Sequence, residues 1–239
     1  GEFFLARKVP KVLIDHHPQP EAFTDLLISD TRVSSTAELL YDVLLALDAR
    51  ALDHDIALNL YAGIVTDTGS FSYNSSRPQT FYIVSKLLAF GFPKDEVNGK
   101  LFDNFRTQRM RLMGYSLHKK MKVFPQYHTA YIALSVADME RYNYQPGDTE
   151  GFVNLPLSIH GVFFSVLFLE KDKVIKLSLR SKGRFDVNAF AREHFKGGGH
   201  VNAAGGKSQR SLQETVTLFE ALLPHIKQDL DENAVFLNA

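Results

Sequence analysis

One carboxylate and two imidazoles follow each other directly in the stretch Asp15-His16-His17. The apolar residues 12–14 precede them and Pro18 follows, so the three polar residues stand where a buried strand is expected to end. Neutral imidazole nitrogen and carboxylate oxygen form a ligand set that suits Mn²⁺ among other divalent metals. Aspartate and proline are also ordinary turn residues. These residues alone leave both a metal site and a solvated turn open.

Asp67 ends a second apolar segment, within "GIVTDTGSF" at residues 63–71. The segment before it has helical periodicity, so we expect Asp67 at a helix C-terminus. A carboxylate is electrostatically unfavourable there, because the helix dipole is negative at that end. A nearby cation would offset this cost, and a solvated aspartate is the alternative.

A third group of candidates lies in "SLRS" at 178–181 and "FKGGGHVNAAGG" at 195–206. Polar and apolar residues alternate through "KVIKLSLRS", which places Ser178 and Arg180 on one polar strand face. A guanidinium suits a phosphate, and consecutive glycines let the backbone approach an anion closely. We expect a helix to follow the glycines, over "HVNAAG" at 200–205. A structural salt bridge for Arg180 and a flexible loop for the glycines remain open.

The elements that must position these residues change in character along the chain. A strand is predicted over residues 9–14, and Ser35 with Glu38 predicts a capping box at a helix start. Further helices are predicted over "DHDIALNLYAGIV", near 80–90, and across most of 94–120. From residue 121 onward, β-branched and aromatic residues predict strands in "MKVF", "TAYIALSV", "GVFFSVLFLE" and "KVIKLSLRS". Two helices are predicted after them, around 186–195 and 211–227.

This order of elements predicts an α/β protein with two domains. We expect residues 1–105 to form the first domain, residues 106–120 a linker helix, and residues 121–239 a smaller α+β domain.

Composition narrows the classes of partner. The 239 residues hold 27 basic and 27 acidic side chains, so no excess of positive charge favours long nucleic acid. The chain has no cysteine, so any metal must be held by His, Asp or Glu. Absence of cysteine also fits a reducing compartment. No apolar run approaches the roughly 20 residues that span a bilayer, and no secretory signal is visible. We therefore expect a cytoplasmic protein without a membrane partner.

The motifs "DHH", "SSTAE", "GIVTDTGSF", "SLRS" and "GGGH…AAGG", in this order, resemble the DHH phosphoesterases that carry the DHH-associated C-terminal domain. The resemblance extends from about Lys11 to about Leu223. It is greatest to bacterial nano-RNases that also act as 3′-phosphoadenosine 5′-phosphate phosphatases.

The resemblance implies a fold, a cofactor and a role for each candidate residue. The fold would be a parallel-sheet DHH domain joined to a substrate-binding domain, and the cofactor two divalent ions, with Mn²⁺ expected. His16 and Asp67 would be metal ligands, Asp15 would orient or help to ligate, and His17 would reach the substrate phosphate or leaving group. The substrate's other phosphate or its nucleotide would be held by residues of the second domain, namely Ser178, Arg180, Gly197, Gly198, Gly199 and His200.

The chain departs from the family pattern at its start. Family members have a motif near "DHDAIGS" and an isolated Asp before "DHH", and only fourteen residues precede Asp15 here. We therefore expect the N-terminal part of the DHH domain to be missing from this chain and the chain alone to be weak or inactive.

The expected function of the parent protein is metal-dependent hydrolysis of short oligoribonucleotides, of 3′-phosphoadenosine 5′-phosphate, or of both. The partner is thus a short RNA or a small phosphorylated nucleotide, and a homodimer is compatible with the sequence. Three alternatives remain open: a cyclic-dinucleotide phosphodiesterase, a non-catalytic nucleotide-binding module and, least favoured, a purely structural α/β protein.

Overall fold

The computed structural model describes Phe3, residues 6–18, Pro20 and residues 22–238. The chain forms two compact units, and the boundary in sequence lies between Asn104 and Phe105. Strands and helices occur in both, so the predicted α/β class is confirmed. The predicted division at residues 105 and 120, with a separate linker helix, stays a prediction. Among the described residues, no helix is both long enough and apolar enough to cross a membrane.

A short parallel pair of strands opens the first unit. Strand β1 (Val12–Asp15) pairs with β2 (Leu26–Ser29), and Asp15 lies opposite Ser29. The sequence predicted β1 but not β2, because the four residues of β2 are too few to show an alternation. The pairing places Asp15 at the carboxyl end of its strand, directly before the two histidines.

After β2, the described residues of the first unit form α1 (Thr36–Asp48), α2 (His54–Asp67), α3 (Pro78–Leu88) and α4 (Lys94–Phe102). Their apolar faces bury Tyr61, Ile64, Ile83 and Leu87 almost completely. Helices α1 and α2 approach closely at Gly63, where an added Cβ atom would lie 2.7 Å from the Cβ of Ala37. The predicted helices are confirmed, and Asp67 is the last residue of α2 as expected.

The start of α1 is tied to α3 by a buried carboxylate. Ser35 Oγ accepts a hydrogen bond from the main chain of Glu38 (3.1 Å), as an N-cap should. The predicted capping box takes a different form, because Glu38 Oε2 accepts from the main chain of Ser34 (2.9 Å) and from the Thr80 hydroxyl (2.9 Å). Glu38 is fully buried, and its Oε1 lies 3.5 Å from Arg77 Nη1.

The second unit is built on a six-stranded sheet. Its strands are β3 (Met121–Phe124), β4 (Thr129–Leu134), β5 (Phe164–Lys171), β6 (Val174–Ser181), β7 (Gly198–His200) and β8 (Ala203–Ser208). They lie in the sheet in the order β3-β4-β5-β6-β8-β7. Strands β4 and β5 pair in parallel and the other neighbours are antiparallel.

Helices accompany this sheet. Helix α5 (Thr107–Tyr115) continues into a π-helical turn at Ser116–Lys120, and α6 (Val136–Arg141) follows β4. Three more lie after β6: α7 (Val187–Phe195), α8 (Leu212–Leu222) and α9 (Lys227–Asn238). One core of aromatic side chains, including Phe164, Phe168 and Phe219, joins the sheet to these later helices.

Two of the expectations for the second unit are wrong in detail. The segment predicted as a helix after the glycines forms the β7–β8 hairpin instead. Its glycines have low helix propensity, and β8 finds a complete ladder along β6. The helix predicted over 211–227 is α8 followed by a 3₁₀ turn at Leu223–Ile226 that contains Pro224, and α9, which begins at Lys227, was not predicted.

Candidate functional site

Asp15 and His17 form the first element of the site. The carboxylate Oδ1 of Asp15 accepts a hydrogen bond from the main chain of His17 (3.1 Å) and lies 2.6 Å from His17 Nδ1. Burial raises the pKa of Asp15, but the hydrogen bonds from His17 outweigh it, and the net pKa lies below the ordinary value. Asp15 is therefore ionised at neutral pH and fixes the orientation of the His17 ring.

His16 and Asp67 form the second element. The side chain of His16 is buried, and its Nε2 lies 3.2 Å from Asp67 Oδ2 at the end of α2. The hydrogen bond to Asp67 raises the pKa of His16 above its ordinary value, although burial opposes it. A cationic or metal-bound partner at this point offsets the unfavourable position of a carboxylate at a helix C-terminus.

The imidazole nitrogens and carboxylate oxygens of these two pairs are donor atoms that suit a divalent cation. The rings of His16 and His17 meet edge to face with centroids 4.7 Å apart, so both pairs lie in one neighbourhood. Adjacent ligands of an octahedral ion bound at about 2.1 Å lie roughly 3 Å apart, and the His16–Asp67 separation of 3.2 Å is close to that spacing. One nitrogen donor and nearby carboxylates suit Mn²⁺ or a zinc site without thiolates.

A cavity of about 420 Å³ adjoins Asp67 in the first unit, and it is lined by Ser35, Thr36, Ala37, Gly63, Thr66 and Asp67. It opens beside the N-terminus of α1, where main-chain N–H groups and the positive end of the helix dipole favour anions. The motif "SSTAE" marks this helix start in the sequence. Its residues were assigned a role in helix capping from the sequence, but no role in ligand binding. The cavity therefore places polar groups of α1 next to one of the candidate metal ligands.

Candidate residues of the second unit lie along one row of the sheet. Arg180 on β6 pairs with Ala203 on β8, and Ala203 pairs with His200 on β7. Residues that pair directly across strands project from the same face. Arg180 and His200 therefore stand on one face with a single alanine between them. The structure thus brings together two residues that are separated in the sequence by helix α7.

Ser178 belongs to the next row on the same face. It pairs with Gly205 on β8, which pairs with Gly198 on β7. On β8, Arg180 and Ser178 therefore both have small neighbours, Ala203 and Gly205. A ligand can approach the sheet there, because no bulky side chain rises from Ala203, Gly205 or Gly198.

Two of the three glycines of "GGGH", Gly197 and Gly199, are required by close main-chain contacts. A Cβ atom added to Gly197 would lie 2.0 Å from the carbonyl oxygen of Gly205. A Cβ atom added to Gly199 would lie 2.4 Å from the carbonyl oxygen of Ala203. The main chain of Gly199 donates to Asn188 Oδ1 (2.9 Å), so this N–H group already has a partner. Asn188, which was not singled out from the sequence, holds the hairpin against α7.

Comparison with known proteins gives a consistent picture. The model of the DHHA1 domain matches residues 126–230. A probable bifunctional oligoribonuclease and PAP phosphatase NrnA of Streptococcus mutans is 32% identical over 212 residues, which cover 88% of this chain and 66% of the relative. The Bacillus subtilis bifunctional oligoribonuclease and PAP phosphatase NrnA is 29% identical over 198 residues, which cover 80% of this chain and 60% of the relative.

A solved structure is similar over nearly the whole chain. An exopolyphosphatase-related protein from Bacteroides fragilis superposes with a TM-score of 0.90 at 40% identity, and the match covers 95% of this chain and 67% of that one. The chain spans 66% and 60% of the lengths of the two curated relatives. By these similarities, and by the ordered motifs that the structure has now located, the chain belongs to the DHH family of phosphoesterases and is related to its oligoribonuclease and PAP phosphatase members.

Proposed function

We propose that the protein hydrolyses phosphoesters of small nucleotides, namely short oligoribonucleotides and 3′-phosphoadenosine 5′-phosphate (PAP). The observation that carries the proposal is the pairing of His16 with Asp67 beside a histidine held by Asp15. The names of the relatives support the substrate class. A net charge of zero also favours a small ligand over a long polymer.

Phosphoesterases of this family generally depend on metal ions. His16, Asp67 and Asp15 would hold divalent ions here, and we propose Mn²⁺, with two ions in the complete site. When bound, such ions polarise a phosphoryl oxygen and lower the pKa of water.

His17 acts on the substrate in this proposal. Its Nδ1 faces the Asp15 carboxylate, so the ring carries its Nδ1 proton toward Asp15 and leaves Nε2 as the working atom. In the imidazolium form, which carries a proton on each nitrogen, Nε2–H donates to the substrate phosphate or gives its proton to the leaving oxygen, and the neutral ring with its Nδ1 proton remains. Asp15 contributes by holding the ring in one orientation.

The second unit selects the ligand. Arg180 binds a phosphate that is not cleaved, through a charge-assisted hydrogen bond, and His200 and Ser178 contact the nucleotide from the same face of the sheet. The glycines shape the hairpin that presents His200, and Gly197 and Gly198 supply main-chain contacts.

The test compares the His16–Asp67 pair, whose aspartate ends α2, with a His–Asp pair at the start of the same helix. His16→Ala and Asp67→Ala in the full-length protein should each weaken Mn²⁺ binding and strongly reduce turnover of a dinucleotide and of PAP. His54→Ala and Asp55→Ala serve as controls, because His54 and Asp55 form an exposed pair at the opposite end of α2 (2.9 Å). Wild-type metal content and turnover in both the His16 and the Asp67 variant would contradict the proposal. Preferential turnover of a cyclic dinucleotide would mean that the substrate is a cyclic dinucleotide and not a short oligoribonucleotide or PAP.

A further inference from the structure

Ser165 on β5 has a fully buried side chain. It lies near the start of β5, its side chain is 0% exposed, and its Oγ has no hydrogen-bond partner among the residues that the structure describes. An unpaired buried polar group lowers the stability of the folded chain. Such groups are uncommon in native proteins and call for a specific explanation.

Three other side chains share this property among the described residues: Ser34, Glu38 and Arg77. The unpaired atoms of Glu38 and Arg77 face each other across 3.5 Å, so their charges compensate. The Ser165 hydroxyl, which lies in the second unit, has no charged partner of this kind among the described residues.

The sheet places Ser165 directly beside Arg180. Ser165 pairs in register with Arg180 on one side and with Ala130 of β4 on the other. Directly opposite residues share a face, with Cβ atoms about 4.5–5.5 Å apart. The same row continues from Arg180 to Ala203 and His200. Ser165 thus belongs to the row that holds two of the proposed ligand-binding residues.

Packing does not explain a serine at this place. Its row contains alanine at Ala130 and at Ala203, so a methyl group is accommodated twice along the same face. An alanine at position 165 would remove the unpaired hydroxyl and keep the volume nearly unchanged. The hydroxyl is therefore explained best by a hydrogen bond that forms in another state of the protein.

Arg180 is the side chain that can reach this hydroxyl. In this structure, its Nη1 donates to the main-chain carbonyl of Leu179 on its own strand (2.9 Å). A guanidinium has five N–H donors in a fixed fork, so one arm can hold a phosphate while another donates elsewhere. Solvent does not reach the fully buried Ser165, whereas a long side chain that neighbours it on the same row is close enough to do so.

We propose that Ser165 is a positioning residue for Arg180: its Oγ accepts a hydrogen bond from the guanidinium when Arg180 holds a phosphate. The role rests on the proposed function, in which Arg180 binds the phosphate that is not cleaved. Because the bond forms away from water, it is strong for its type. It favours the ligand-holding conformation of Arg180 and so raises the affinity for phosphate.

The test is a double-mutant cycle on binding. Affinity for PAP is measured by calorimetry in the full-length protein without added metal, for wild type, Ser165→Ala, Arg180→Ala and the double variant. We expect Ser165→Ala to weaken binding about three- to tenfold, as the loss of one hydrogen bond predicts. In the Arg180→Ala background, the same change should have no further effect. Ser165→Thr, which keeps the hydroxyl, should retain more affinity than Ser165→Ala.

Stability separates positioning from a structural role. Ser165→Ala should leave the thermal unfolding temperature unchanged or raised, because it removes an unpaired buried group. Ser181→Ala is the matched control: this buried serine adjoins Arg180 in sequence, and its Oγ donates to the carbonyl of Phe185 (2.7 Å). The control should lower the unfolding temperature and leave the Arg180-dependent part of PAP binding intact.

The outcomes distinguish this inference from the proposed function. If Arg180→Ala weakens PAP binding and Ser165→Ala does not, the positioning role is wrong and the function stands. An equal loss from Ser165→Ala with and without Arg180 would also overturn the role, since the serine would then act independently. If Arg180→Ala itself leaves PAP binding unchanged, the proposed phosphate site fails, and the role of Ser165 fails with it.

Discussion

Asp15 is joined to His17 twice, through the main chain (3.1 Å) and through ring atom Nδ1 (2.6 Å), and both bonds use the same carboxylate oxygen. Asp15→Asn should keep the shape of this turn but lose the charge that holds the ring. Removal of a group that orients a ligand or an active residue typically costs ten- to a hundredfold. We expect turnover of PAP by the full-length protein to fall by about that factor. Asp55→Asn should change little, and full activity in Asp15→Asn would mean that His17 needs no orientation by a charged group.

Arg180 is expected to act on one class of substrate only. A charge-assisted hydrogen bond contributes about 1.5–3 kcal/mol, so Arg180→Ala should lower kcat/KM by roughly ten- to a hundredfold. Lysine should restore part of the loss, because it keeps the charge without the planar fork. Steady-state kinetics on PAP and on bis-(p-nitrophenyl) phosphate would separate the substrates. An equal loss on both would assign Arg180 to the fold or to the metal centre.

Asp138 should control the acid stability of the second unit. Burial by itself raises the pKa of Asp138, but bonds from Lys120, Ser135 and Tyr115 outweigh it and lower the pKa to about 2. Because the folded pKa is lowered, the stabilisation is complete above about pH 4, the pKa of an unfolded aspartate, and is lost as the pH falls toward 2.

Asp138→Asn should therefore reduce the free energy of unfolding at pH 7 by about 2 kcal/mol. The difference in free energy of unfolding between the variant and the wild type should become smaller in acid. Urea unfolding at pH values from 7 to 3 would measure this. Asp172→Asn, in the exposed turn between β5 and β6, is the control and should change stability little. A difference that stays constant over the whole pH series would show that the charge of Asp138 is not what stabilises the fold.

The glycines before His200 should differ in their tolerance of a side chain. Gly197→Ala places a Cβ atom 2.0 Å from the Gly205 carbonyl oxygen, so the hairpin must shift. Gly198→Ala brings its Cβ no closer than 3.5 Å to Arg192. We expect the first variant to lower the thermal unfolding temperature by several degrees, which for a chain of this size corresponds to one or two kcal/mol, and the second to lower it much less. Equal unfolding temperatures for both would contradict the close contact at Gly197.

Runs of β-branched and aromatic residues made much of the second unit predictable from the sequence. Strands β3 to β6 follow the predicted segments, and β5 and β6 are joined by a two-residue hairpin turn with positive φ at Asp172 and Lys173. Strand β2 and the β7–β8 hairpin were missed. Short or glycine-rich segments show no periodicity, so their own residues do not reveal that they pair with a neighbouring strand.

The candidate site was predictable in its parts but not in its pairings. Residue types and helix-end position singled out His16 and Asp67 separately, yet only the fold shows that their side chains meet. Ser165 gave no signal at all in the sequence, because a serine within an apolar strand is unremarkable until its register and its unpaired hydroxyl are known.

The single alanine between Arg180 and His200 has a consequence for how the protein can tell one ligand from another. Their Cα atoms are separated by two strand spacings, about 10 Å in total, and main-chain hydrogen bonds maintain that separation. It therefore does not depend on the mobility of side chains or loops. Under the proposed function, selection by ligand length would then be a property of the backbone, and descendants of this chain could exchange the chemical groups at the two ends while the distance between them stayed the same.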